Sequence, residues 1–171
     1  CVLIRRDALE AVGGLAAIRG ALIDDVALAA AVKRGPPRRR IRLVLAEGDE
    51  LVSLRDNRGL GAIWAMVTRT AYVQLRRSPL LLAGCVLGMA LVYLAGPAAL
   101  LAWPLHGDIA AALVGAGAWG LSAAAYAPTL RRYGRPAAQG LALPVAAALY
   151  MAMTAHSALR WRIGRGSVWK G

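Results

Sequence analysis

A chain of 171 residues has room for about one domain, and its composition excludes an ordinary soluble one. Apolar residues make up 58% and mean hydropathy is +0.51, while charged residues are 18%, against roughly 25% in soluble proteins. The net charge of +12 would suit nucleic acid. The basic clusters, however, flank apolar runs instead of covering a polar surface, which argues for anionic lipid and against nucleic acid as the partner.

The two halves of the chain differ. Residues 1–77 carry 14 of the 21 Lys and Arg and eight of the nine acids, leaving Asp108 alone in the remainder. The first part reads as water-facing and the second as membrane. Cys1 and Cys85 have neither metal-ligand spacing nor the pattern of a disulfide framework. The chain opens on Cys with strand-like residues at once and no signal peptide, as a fragment starting within a domain would.

In chain order, Cys1–Ile4 is expected as a strand, and Arg6–Val12 as a short helix stopped by Gly13-Gly14. Asp24-Asp25 precede a helical stretch, Val26–Lys33, ended by Gly35-Pro36-Pro37. Arg40–Ala46 alternates and predicts a strand, Glu47-Gly48-Asp49 a turn, and Glu50–Leu54 a further short strand. Leu60–Arg77 predicts an amphipathic helix with Leu60, Ile63, Trp64, Val67, Ala71 and Leu75 on one face and Arg69 and Arg76 elsewhere, a pattern suited to a membrane interface.

Three stretches then reach the roughly 20 apolar residues that span a bilayer: Pro79–Trp103, Ile109–Leu130 and Pro136–Leu159. His156 is the one titratable group of the third apart from tyrosine. Three full crossings would place Arg131–Arg135 on the same side as residues 1–77, but the basic tail from Arg160 on the other, against the positive-inside rule. Either one stretch does not cross or the tail is an exception.

The candidate chemistry lies near the start. Arg5-Arg6, Val12-Gly13-Gly14-Leu15 and Ile23-Asp24-Asp25-Val26-Ala27-Leu28 resemble the later half of the catalytic domain of family 2 glycosyltransferases, in which a Gly-Gly turn precedes an acidic pair that opens a helix. Ile18–Asp25, Arg69-Thr70-Ala71-Tyr72, Ser78-Pro79-Leu80 and the tail Gly166–Gly171 are similar to the hopene-associated (hopanoid biosynthesis-associated) subgroup, over essentially the whole chain. The resemblance implies a C-terminal fragment of α+β class: part of a GT-A type domain at residues 1–59, an interfacial helix at 60–77, an all-α membrane region of about three hydrophobic helices at 78–159 (79–103, 109–130 and 136–159), and a basic tail at 160–171.

It further implies an inverting transfer from a nucleotide sugar to a lipid, a hopanoid among the candidates, at a bacterial inner membrane with the catalytic part cytoplasmic. Asp25 would be the general base and Asp24 its supporting acid. A positioned carboxylate suits this step, since an alcohol attacks well only as it loses its proton. The residues alone allow a plainer reading, two acids capping a helix, and both readings can hold together. The family's Gln-x-x-Arg-Trp signature falls at Met66–Thr70, where only Arg69 matches. Arg69 is a contact for the departing diphosphate or an interfacial anchor.

The family's nucleotide-binding half, with the Asp-x-Asp motif that holds Mg or Mn, would precede residue 1, so no metal is expected on this fragment and no activity from it alone. His106 and His156 read as structural or interfacial. The alternative is a non-enzymatic polytopic protein or transporter fragment with a small basic domain. Against transport, none of the three apolar stretches contains an Asp, Glu, Lys or Arg.

Overall fold

The computed structural model describes residues 2–21, 23–35 and 59–164, which fall into two compact units divided between Ile63 and Trp64. The described residues of the first unit carry α1 (Arg6–Ala11), a 3-10 turn at Leu15–Ile18 and α2 (Asp24–Arg34). Its small core is Ala8, Leu28 and Val32.

The α+β expectation is overturned: among the described residues there is no strand, and the fold is all-α. Residues 2–4 of the expected first strand lack strand structure, with Leu3 99% exposed. Apolar alternation marks residues that could fill a sheet, but a strand persists only where neighbours pair its backbone and cover its face. The strands expected at Arg40–Ala46 and Glu50–Leu54 lie outside the described residues.

Helix α3 (Leu60–Gln74) follows Gly59 and ends in an unusual corner. Arg76 and Arg77 both take the left-handed conformation, at φ 52° and 57°. The Arg76 amide donates to Val73 O and that of Arg77 to Tyr72 O, so the corner closes the open carbonyls of the helix end. Two non-glycine residues in this region cost about 1–2 kcal/mol each.

The first apolar helix starts immediately after. Ser78 Oγ accepts from the Leu81 amide at 3.3 Å and Pro79 takes the first helical position, where a missing N–H costs nothing. It runs as α4 (Pro79–Met89), a π-helical turn (Ala90–Leu94) and α5 (Ala95–Leu101). Pro97 supplies a cause for the π turn: it cannot donate to Tyr93 O, and its ring would crowd that carbonyl in a regular helix. A short helix, α6 (Trp103–His106), turns the chain through Gly107 at φ 68°.

Helix α7 (Ile109–Arg132) is N-capped by Asp108, whose Oδ1 accepts from the Ala111 amide at 3.1 Å. A 3-10 segment (Ala137–Ala142) leads into α8 (Leu143–Arg162). Three helical runs, Pro79–Leu101, Ile109–Arg132 and Ala137–Arg162, are thus long and apolar enough to cross a membrane.

Glycines set how closely they approach. A Cβ on Gly115 would lie 2.6 Å from Gly96 O and 2.9 Å from Ala99 Cβ, and one on Gly140 would lie 2.7 Å from Ala123 O. Without a hydrophobic driving force between helices in lipid, such backbone contact supplies the packing energy. Trp119 Nε1 adds a bond to Leu141 O at 3.1 Å.

Helix α8 returns to the α3 corner. The Arg77 guanidinium lies 4.0 Å from the centroid of the Trp161 ring, while Met89 and Tyr93 share a cavity wall with Ala147 and Tyr150. Later residues of one helix meet earlier residues of the other, so α8 is antiparallel to the first apolar helix and ends level with its start. Strict alternation of three crossings would leave that end on the opposite face.

Two measurements check this arrangement. Gly115→Ala should lose about 1–3 kcal/mol of stability by thermal unfolding in detergent, whereas Gly117→Ala, with open space around its added methyl, should not. In sealed vesicles, Arg76→Cys and Arg162→Cys should react with an impermeant maleimide from one side, and Gly107→Cys from the other.

Candidate functional site

In the first unit the acidic pair is held by a tight local frame. The Gly13 and Gly14 amides donate to Glu10 O and Leu9 O, and both glycines have positive φ, +90° and +66°. A side chain is strained at either, and a Cβ on Gly13 would also press to 3.3 Å against Ala17 Cβ. The turn therefore ends α1 and redirects the chain into the 3-10 segment. Behind α2, Gly35 sits against Val12, with 3.5 Å from an added Cβ to Val12 Cγ1. At the surface Arg5 grips Asp7 through two bonds of 3.1 and 2.7 Å, and Arg6 pairs with Glu10 at 3.3 Å. Such exposed pairs contribute little, about 0–1 kcal/mol.

Asp24 and Asp25 occupy the first turn of α2, with Ile23 at the N-cap. Asp24 Oδ1 accepts from the Asp25 amide at 3.0 Å and Asp25 Oδ1 from the Val26 amide at 2.8 Å. Each carboxylate thus partners an amide the helix leaves open and sits at the positive dipole end. Leu28 and Val32 anchor the buried face of the same helix, while both carboxylates stay exposed. The arrangement serves the capping reading, and it also presents Asp25 to an incoming molecule on a fixed support.

Arg69 belongs to the second unit, exposed on α3. The packing face of α3 is not quite the one its apolar residues suggest. Val67, Thr68 and Tyr72 are buried, while Leu60 is exposed. The rotation follows from polar contacts that hydropathy does not weigh. Trp64 Nε1 donates to His156 Nδ1 at 2.8 Å, and the Tyr72 amide donates to Ser157 Oγ at 3.1 Å. Thr68 turns its hydroxyl back onto Trp64 O at 2.7 Å, so its methyl can be buried.

Two residues eight apart on α3, about 12 Å along its axis, therefore meet adjacent residues of α8. Few other residues of α3 are needed to hold it to α8. Together with the Arg77–Trp161 stack, these bonds form a clasp that sequence reasoning missed. The signal available was His156, a lone imidazole in an apolar stretch that had to find a partner.

His106 has a structural task. The Asp108 amide donates to its Nδ1 at 3.0 Å, which leaves Nε2 to donate to Ala99 O, also at 3.0 Å. Among the described residues no three His, Cys, Asp or Glu side chains gather as a metal site would require.

The described residues thus define a multi-pass membrane protein whose first unit displays an acidic helix start. Residues 1–171 match the model of Glycosyl transferase family 21, and the chain belongs to that family. The assignment is consistent with the family 2, hopanoid-associated resemblance of the sequence. No curated protein and no solved structure matches the chain.

Trp64→Phe keeps the ring but removes the donor to His156. It should destabilise the protein by about 1–3 kcal/mol, read by thermal unfolding. Adding His156→Leu should recover part of that loss, because no half-buried acceptor is then left unpaired.

Proposed function

We propose that the whole protein transfers a sugar, with inversion, from a nucleotide-sugar donor to the hydroxyl of a membrane lipid, a hopanoid among the candidates. Family membership and the exposed, helix-anchored carboxylate of Asp25 support this reading, and the second of these carries it. Asp25 accepts the hydroxyl proton as the oxygen attacks the anomeric carbon, and the nucleotide diphosphate departs. A bond to the Val26 amide fixes one oxygen of the base and leaves the other to face the acceptor. Asp24, bonded to the Asp25 amide, holds the turn that carries the base. Arg69 meets the departing diphosphate.

In this reading residues 1–59 belong to the catalytic part and lie on the cytoplasmic side of a bacterial inner membrane. Helix α3 rests at that interface and the apolar helices anchor it. Because α8 ends level with the α3 corner, Arg76, Arg77, Arg160 and Arg162 all gather on that side, as the positive-inside rule asks. A divalent ion would neutralise the diphosphate when bound. The described residues do not fit one, so its ligands would come from the donor-binding part of the protein, and no step here runs through it.

The test is Asp25→Asn in the full-length protein. Membrane insertion should be unchanged and transfer to lipid should fall by about 10²–10⁴-fold, the usual contribution of a general base. Wild-type turnover in that variant would remove Asp25 from the mechanism.

A further inference from the structure

The three apolar helices leave a groove where they meet, open to the outside, with Val92, Tyr126 and Tyr150 exposed along it. It measures about 450 Å³, within the roughly 300–1,000 Å³ range of small-molecule sites. Each helix contributes one tyrosine to the wall, Tyr93, Tyr126 and Tyr150, and Val92, Ala125 and Ala147 supply apolar surface. Tyr93 and Val92 lie in the π-helical turn, so the one irregular turn of the first apolar helix forms part of the lining. Turns of this kind recur at functional sites because they push side chains out of the regular helical row.

We propose that this intramembrane cavity binds a single amphipathic lipid from the bilayer. Its hydrocarbon lies against Val92, Ala125 and Ala147, and its hydroxyl or ester oxygens meet the tyrosine hydroxyls. The medium selects the occupant. The surrounding helix surfaces are apolar and outward-facing, with Leu87 69% and Leu121 72% exposed, so hydrocarbon is what reaches the opening. A phenol hydroxyl at this depth is costly unless bonded, and lipid tails offer it nothing. A few hydroxyls in an otherwise apolar cavity are how a site orients a ligand that is mostly hydrocarbon with one polar end. The inference rests on the membrane placement of these helices and not on the role of Asp25.

The experiment uses the full-length protein in nanodiscs containing a phosphatidylcholine that carries a diazirine midway along one acyl chain. After irradiation, cross-linked peptides are mapped by mass spectrometry. Adducts should concentrate on residues 89–93, 122–126 and 143–150. Ala125→Trp, which fills the cavity with an indole, should reduce them by about fivefold or more, roughly 1 kcal/mol or above, and leave adducts at Leu87 and Leu121 unchanged. Tyr93→Phe combined with Tyr150→Phe keeps the shape and should lower the yield at 89–93 relative to Leu87, which covers the case where the tryptophan variant does not fold. Adducts spread evenly over all lipid-facing residues, or unchanged in the folded variants, would overturn the proposal. Asp25→Asn should retain the cross-linking pattern even where transfer is lost, so the two readings fail separately.

Discussion

Hydrocarbon offers no hydrogen bonds, and the backbone between Ser78 and Arg162 is organised around that constraint. Pro128, inside α7, cannot donate to Ala124 O, but the ends and turns of the apolar helices are covered. Ser78 takes the Leu81 amide and Asp108 that of Ala111, and the His106 ring closes the turn between them. Pro79, Pro104 and Pro144 stand in first-turn positions, where a missing N–H is cheapest. Pro97 follows a π turn that gives its ring room. Close contacts between helices fall to glycine: Gly96 against Gly115, and Gly140 against Ala123.

Helix α3 meets a different problem. It exposes Arg69 on one side and is fastened to α8 on the other. Three contacts from α3 and its corner to one end of α8 achieve this, at His156, Ser157 and Trp161. Each uses an amphipathic partner: an indole N–H, a backbone amide, and a guanidinium over an aromatic face. Such groups suit a depth where one end of a side chain is dry and the other wet. The left-handed Arg76-Arg77 corner is the cost of aiming Arg77 at Trp161.

The apolar helices were legible because length and lack of charge suffice to define them. The acidic pair was legible as a helix start for the same local reason. The strand expected at residues 1–4 failed because alternation is a statement about one segment, whereas a strand requires a second. The face of α3 was misjudged at Thr68 and Tyr72, since a threonine that bonds its own helix counts as polar in a sequence but packs as a methyl. The return of α8 to the α3 corner depended on Arg77 meeting Trp161, 84 positions apart, and no local pattern encodes such a pairing. The conflict in the positive-inside pattern was the one hint of the antiparallel course of α8.

That corner also imposes an order on biogenesis. The partners that fasten α3 and its corner, from His156 to Trp161, are made 84 to 92 residues after the residues they hold, and chains fold from the N-terminus during synthesis. Until α8 leaves the ribosome, α3 lacks these partners. The clasp on α3 can close only once translation has passed Trp161.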